Sequence, residues 1–176
     1  MTNPVAGTRP ALHAIRVTVN GVVHEASVDP RTTLADFVRG DLGLGGTHVG
    51  CEHGVCGACT ILVEGETARA CLMLAVQADG RSITTIEGIG AEGTLHPIQQ
   101  AFVDERGLQC GFCTPGFVMT VHELLATRPN PSDEEILDHL GGNLCRCTGY
   151  ESILRSVRLA ARRLREAKAA GAEEKA

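Results

Sequence analysis

Tryptophan is absent from this 176-residue chain, and with one tyrosine and four phenylalanines its aromatic content is only 3%. The core must then be built from Val, Ile, Leu and Ala in small units, to whose folding free energy bound metal would contribute. Long apolar runs are lacking as well. The stretch Cys71 to Val76 is far too short to span a bilayer, and Met1 to Ala11 contains proline and glycine with no apolar run. No signal peptide or membrane anchor is expected, and a cytoplasmic protein follows. Positive charge is not in excess: 16 Lys and Arg stand against 21 Asp and Glu, for a net charge of −5, which argues against a general nucleic-acid binder. Arg155, Arg158, Arg162, Arg163 and Arg165 do cluster, but acidic Glu173 and Glu174 follow, so a solvated helix face is favoured over a phosphate-binding patch. Catalytic fingerprints are missing too. No Ser-His-Asp set or P-loop is found, and Gly43-Leu44-Gly45-Gly46 lacks the strand–turn–helix spacing of a dinucleotide motif, so the chain is expected to have no substrate site of its own.

What the chain does have is cysteine. Eight residues fall into two groups of four, with none left over: Cys51, Cys56, Cys59 and Cys71, then Cys110, Cys113, Cys145 and Cys147. In a chain without a signal peptide such thiols persist as metal ligands more often than as disulfides. The first group has the C-x4-C-x2-C spacing of a plant-type [2Fe–2S] loop, with the fourth cysteine further on. Such a loop wraps tightly round a small anionic core with its amides turned inward, which Gly50, Gly54 and Gly57 permit. Zinc is the competing reading of Cys56-x2-Cys59, but structural zinc normally uses two short paired spacings, not three plus one. In the second group, Cys110-Gly-Phe-Cys113-Thr114-Pro-Gly and Cys145-Arg-Cys147-Thr148-Gly-Tyr form a weak repeat, each before a helix start. Unpaired amides and the positive dipole end at such a terminus stabilise an anionic cluster, so a second [2Fe–2S] centre is the leading account of this group. His48 and His53 are read as loop hydrogen-bonding residues, because both four-cysteine sets are complete without them. His96 and His122 are read as helix-start and helix-face residues.

Local patterning supports two domains. Ile15 to Val19 alternates, Asn20-Gly21 is a hairpin turn, and Val22 to Val28 resumes the strand. A short helix capped by Thr32 or Thr33 is expected over residues 33 to 38. Thr60 to Val63, a turn at Glu64-Gly65 and Glu66 to Ala70 predict a second hairpin, and Ile83 to Ile86 a last strand. Beyond the glycine-rich stretch Glu87 to Gly93 the periodicity turns helical. Helices are expected from Pro97 to Gly107, from Thr114-Pro115 to just before Pro129, from a capping box at Ser132 with Ile136, Leu137 and Leu140 inward, and from a second box at Thr148 with Ile153, Val157, Ala160 and Leu164 inward. The expected class is α+β. Its divisions are residues 12–86 for a domain of mixed sheet and helix carrying the plant-type [2Fe–2S] loop, which the resemblance given below implies to be ferredoxin-like, and 92–168 for a four-helix [2Fe–2S] domain, with residues 1–11 and 169–176 as flexible termini.

The segments Gly50 to Thr60, Gln109 to Gly116 and Gly142 to Tyr150 closely resemble the iron–sulfur subunit of the molybdenum hydroxylases, the group containing xanthine dehydrogenase, aldehyde oxidoreductases and aerobic carbon monoxide dehydrogenase. The likeness covers roughly residues 15 to 164. It implies a β-grasp domain followed by a four-helix domain with pseudo-twofold symmetry, working as an electron-transfer subunit. A large partner would hold the molybdopterin cofactor, a medium partner FAD, and the assembly would be a dimer of heterotrimers. Electrons would pass from molybdenum to the helical-domain cluster, then the plant-type cluster, then FAD, during hydroxylation of an aldehyde, N-heterocycle, purine or CO. By the same resemblance, Gln109 and Cys147 would lie against the pterin. Where many relatives carry Lys this chain has His48, which leaves every ligand intact. The rival reading is a free-standing two-cluster ferredoxin acting as a diffusible carrier.

Overall fold

The structure, a computed structural model, describes residues 11–90 and 93–173. Strands β1 (His13–Val19) and β2 (Val22–Val28) form an antiparallel hairpin with Val19 opposite Val22. Its two turn residues, Asn20 and Gly21, have φ of 51° and 81°, the double positive φ that a two-residue hairpin of matching twist demands. After β2 the chain enters a short helix α1 (Leu34–Asp36), continued by a wider turn over Phe37–Asp41. Of the two capping threonines considered, Thr33 is the one used, accepting from the Asp36 amide at 3.0 Å.

β3 (Thr60–Val63) and β4 (Glu66–Arg69) make the second hairpin, and β5 (Ser82–Thr84) completes a mixed sheet in the order β2-β1-β5-β3-β4. β5 runs parallel to β1 and antiparallel to β3. It is shorter than expected, because Ile86 already begins a single turn of 3₁₀ helix. The first core gathers Val17, Leu34, Phe37, Ile61 and Ile83, all at or below 1% exposure, between one sheet face and the α1 segment.

The second half is helical: α2 (Pro97–Asp104), α3 (Thr114–Thr127), α4 (Asp133–Leu140) and α5 (Glu151–Glu173). His96 caps α2, its Nδ1 accepting from the Ile98 amide, and the expected box at Ser132 caps α4 through reciprocal bonds with Glu135. Phe102, Phe117, Leu124, Ile136, Ile153 and Val157 form the second core.

Two expectations are corrected. Leu137 is 54% exposed and does not face the core, since an eight-residue helix packed along one stripe buries only Ile136 and Leu140. The helix expected from Thr148 begins only at Glu151; the Thr148 hydroxyl accepts from the Tyr150 amide at 3.2 Å and donates into the cysteine loop described below. α5 runs to Glu173, and residues 174–176 of the expected C-terminal tail lie outside the described residues, as do 1–10 of the N-terminal one and 91–92 of the glycine-rich link.

The arginines of α5 are largely spoken for: Arg155 pairs with Glu105 at 3.1 Å, Arg158 with Asp133 at 2.8 Å and Arg163 with Asp104 at 2.6 Å. These pairs tie α5 to α2 and α4 and neutralise three of its arginines. No described helix is long and apolar enough to cross a membrane.

Candidate metal centres

Between the α1 segment and β3 the chain has no regular structure, and this is where Cys51, Cys56 and Cys59 lie. Glu52, Gly54 and Gly57 each take positive φ (57°, 81° and 71°), which curls the loop on itself. The Cys56 amide consequently points at Cys51 Sγ, 3.4 Å away. That amide, followed by those of His53 and Val55, draws the Cys51 thiol down to about 6, because N–H dipoles converging on a sulfur favour its anionic form. His53 Nδ1 contacts the Cys51 carbonyl and reaches no sulfur among its hydrogen bonds. Cys59 and Cys71 lie deeper, at the start of β3 and the end of β4. Burial pushes Cys59 up to about 11, with Cys71 beside it adding to the shift.

The second group sits where two helices begin. Cys110 and Cys113 precede α3, and Cys145 and Cys147 precede α5. Burial, reinforced by Cys145, pushes Cys113 up to about 12. Burial would raise Cys145 too, but the Thr148 hydroxyl at 3.1 Å and amide at 3.4 Å both donate to its sulfur and bring it below the ordinary thiol value. Tyr150 OH accepts from the Cys145 amide at 2.9 Å, and its ring meets Phe117 edge-on, anchoring the loop in the second core. Cys110 and Cys147 are exposed, their sulfurs 3.5 Å apart, and contact with Cys110 raises the Cys147 thiol. Gln109, next to Cys110, is exposed.

The thiols therefore meet two by two: Cys51 with Cys56, Cys59 with Cys71, Cys110 with Cys147, and Cys113 with Cys145. Among the described residues no three His, Cys, Asp or Glu side chains converge on a single-ion site. Four thiolates on one zinc would all lie about 2.3 Å from the metal. Two pairs per group instead suit a centre of two irons, each taking two thiolates, and the inward amides and helix termini suit its negative charge. The residues present fit [2Fe–2S] groups in both places.

The two loops are also joined, by contacts that spacing rules did not reveal. Leu144, bonded to Cys145, donates its amide to the Cys56 carbonyl at 2.9 Å, so a single hydrogen bond links one cysteine loop to the other. Asn143, 2% exposed, donates Nδ2 to the Gly57 carbonyl at 3.0 Å and accepts at Oδ1 from Thr120 at 2.9 Å. Arg69 spans from Thr60 Oγ1 to the Gly142 carbonyl, 2.7 Å to each. Glu123 of α3 takes the Thr67 amide and hydroxyl at 2.8 and 2.9 Å, covering the β4 edge. Gly57 and Gly116 sit where these elements cross. A Cβ on Gly57 would come within 2.5 Å of the Gly142 carbonyl oxygen, and one on Gly116 would collide with the Gly57 carbonyl.

Comparison with known families now decides what this frame belongs to. A model described as 2Fe-2S iron-sulfur cluster binding domain matches residues 17–82, and one described as [2Fe-2S] binding domain matches 85–158. The chain is 56% identical over 149 residues to the caffeine dehydrogenase subunit gamma of Pseudomonas sp. (strain CBB1), covering 83% of this chain and 89% of that one. The chain belongs to the small [2Fe–2S] subunits of the molybdenum hydroxylases. It is 42% identical over 173 residues to the aldehyde oxidoreductase iron-sulfur-binding subunit of Escherichia coli (strain K12), covering 90% and 76% of the two chains. The solved quinoline 2-oxidoreductase from Pseudomonas putida 86 has a chain superposing with a TM-score of 0.83 at 47% identity, over 87% of this chain and 98% of that one. Like other such small subunits, the chain carries two [2Fe–2S]-binding domains and transfers electrons within a multi-subunit molybdenum hydroxylase complex. The α+β expectation, a ferredoxin-type sheet domain followed by a helical domain, holds.

Proposed function

We propose that this chain relays electrons from a molybdopterin centre in a large partner subunit to FAD in a medium partner, in a cytoplasmic dimer of heterotrimers. Bound in the two domains, residues 12–86 and 92–168, the [2Fe–2S] groups would each take up and release one electron at a time. Cys51 and Cys56 would hold one iron of the plant-type centre, Cys59 and Cys71 the other. In the helical domain the pairs would be Cys110 with Cys147 and Cys113 with Cys145. The observation that carries this reading is the contact of the eight thiols in these four pairs.

Exposure supports the direction of flow. Cys110 and Cys147 lie open to solvent, so the pterin would approach there, with Gln109 and Cys147 against it. The hydrogen bond from Leu144 to the Cys56 carbonyl then offers an inward route to the plant-type centre. The substrates named for relatives, among them caffeine, aldehydes and quinoline, support a small N-heterocycle, purine or aldehyde as what the large partner hydroxylates.

Replacing Cys56 tests the order of the centres. The wild-type chain should contain about four irons, and Cys56→Ser should weaken only the plant-type centre, since serine is a harder and less acidic donor than cysteine. In the assembled complex, substrate should still reduce the helical-domain centre, seen by electron paramagnetic resonance, while flavin reduction stalls in stopped-flow absorbance. Normal flavin reduction in a variant lacking the plant-type centre would overturn the order.

A further inference from the structure

Phe112 stands between two cysteine ligands of the helical domain, yet its ring does not enter that domain's core; it is 47% exposed. Instead it lies against the loop of the other domain. A Cβ built on Gly50 would meet Phe112 Cε1 at 3.2 Å and Cys56 Sγ at 3.4 Å, so the phenyl edge and that sulfur flank one point. On its other side His48 stacks on the ring, with centroids 5.0 Å apart and planes 19° apart. His48 Nδ1 also bonds the Phe112 carbonyl at 2.7 Å. A half-exposed aromatic held at both its ring and its own backbone by one side chain of the neighbouring domain is fixed in place more firmly than its burial requires. Gly50 leaves room for it, since a Cβ there would press on the ring edge at 3.2 Å and make it give by a few tenths of an ångström.

We infer that Phe112 is an aromatic bridge between the two cysteine loops, and that His48 is the residue that positions it. The ring sets polarisable atoms beside Cys56, and so maintains the electronic coupling through which one electron leaves one centre and arrives at the other, no bond being made or broken. His48 acts through Phe112, which it holds at the ring and at the carbonyl. The bridge is a further connection, separate from the hydrogen bonds of Leu144 to Cys56 and of Asn143 to Gly57, and is made by a side-chain ring. It rests on the electron path proposed above.

The test is a direct measurement of transfer between the centres in the full chain carrying both of them, by pulse radiolysis, with electron paramagnetic resonance reading the splitting between the two reduced centres. Phe112→Leu should retain the iron of both centres and slow transfer several-fold. His48→Ala should slow it too, by freeing the ring. His48→Asn, whose side-chain amide can take the place of Nδ1 on the Phe112 carbonyl, should recover most of the rate. An unchanged rate in Phe112→Leu, or loss of iron from either centre in that variant, would overturn the bridge. No transfer between centres in the wild-type chain would overturn the electron path itself, an outcome distinct from a wild-type rate that Phe112→Leu leaves unaltered.

Discussion

Asn143 is the place to break the contact between the two domains without touching a cysteine. Its side chain makes two short hydrogen bonds, to the Gly57 carbonyl at 3.0 Å and from Thr120 Oγ1 at 2.9 Å, and a long one to Thr60 Oγ1 at 3.5 Å, at 2% exposure. In Asn143→Ala neither partner is orphaned, because Gly57 O still accepts from the Thr60 hydroxyl and Thr120 still donates to the Gly116 carbonyl at 3.0 Å. The loss is then chiefly the net value of the two short neutral hydrogen bonds, about 2 kcal/mol together. That corresponds to a roughly thirtyfold increase in opening of the interface, since about 1.4 kcal/mol is a factor of ten. Leu144 is the next residue, and its amide is the one bonded to Cys56. Hydrogen exchange followed by mass spectrometry on the holo-chain should therefore show residues 142–145 and the loop from Gly50 to Cys59 exchanging faster, while β1 and β2 keep their protection. Unchanged exchange in both loops would refute the claim that Asn143 holds the domains together.

Two further outcomes are expected. Gln109→Ala should keep both centres and slow reduction of the helical-domain centre by substrate in the assembled complex; loss of iron would show that Gln109 supports the loop instead of meeting the pterin. His96 and His122 face each other across 5.5 Å beside a cavity of about 340 Å³ that Arg165 and Lys168 also line. Burial, joined at His96 by repulsion from His122, holds both imidazoles below the ordinary 6.5. The unfolded chain therefore binds more protons just below that value, and the stability that these residues confer is complete above about pH 6.5 and lost as pH falls through the lowered values. His122→Leu should flatten the decline in helical-domain melting temperature between about pH 7 and pH 5.5; parallel declines in the two proteins would refute the assignment.

Much of this protein could be read locally. The hairpin at Asn20-Gly21, the cap at Ser132 and the cysteine spacings are instructions carried by neighbouring residues, and each depends on backbone geometry that a few positions impose on themselves. The same holds for the placement of Cys110, Cys113, Cys145 and Cys147 at helix starts, since Pro115 and the apolar periodicities mark where those helices begin. Leu137 and Thr148 show where local rules ran out: a helical stripe admits Leu137 on spacing alone, and Thr148 has the pattern of a cap while positive φ at Gly149 and Tyr150 delays the helix to Glu151. What only the tertiary structure decided is how the two halves meet. Asn143 with Gly57, Leu144 with Cys56, Arg69 with Gly142 and His48 with Phe112 join residues more than sixty positions apart. Nothing in the spacing of either cysteine group marks such partners, because contact between distant segments arises from the packing of finished elements, here α3 across β3, and from the two glycines small enough to let them touch.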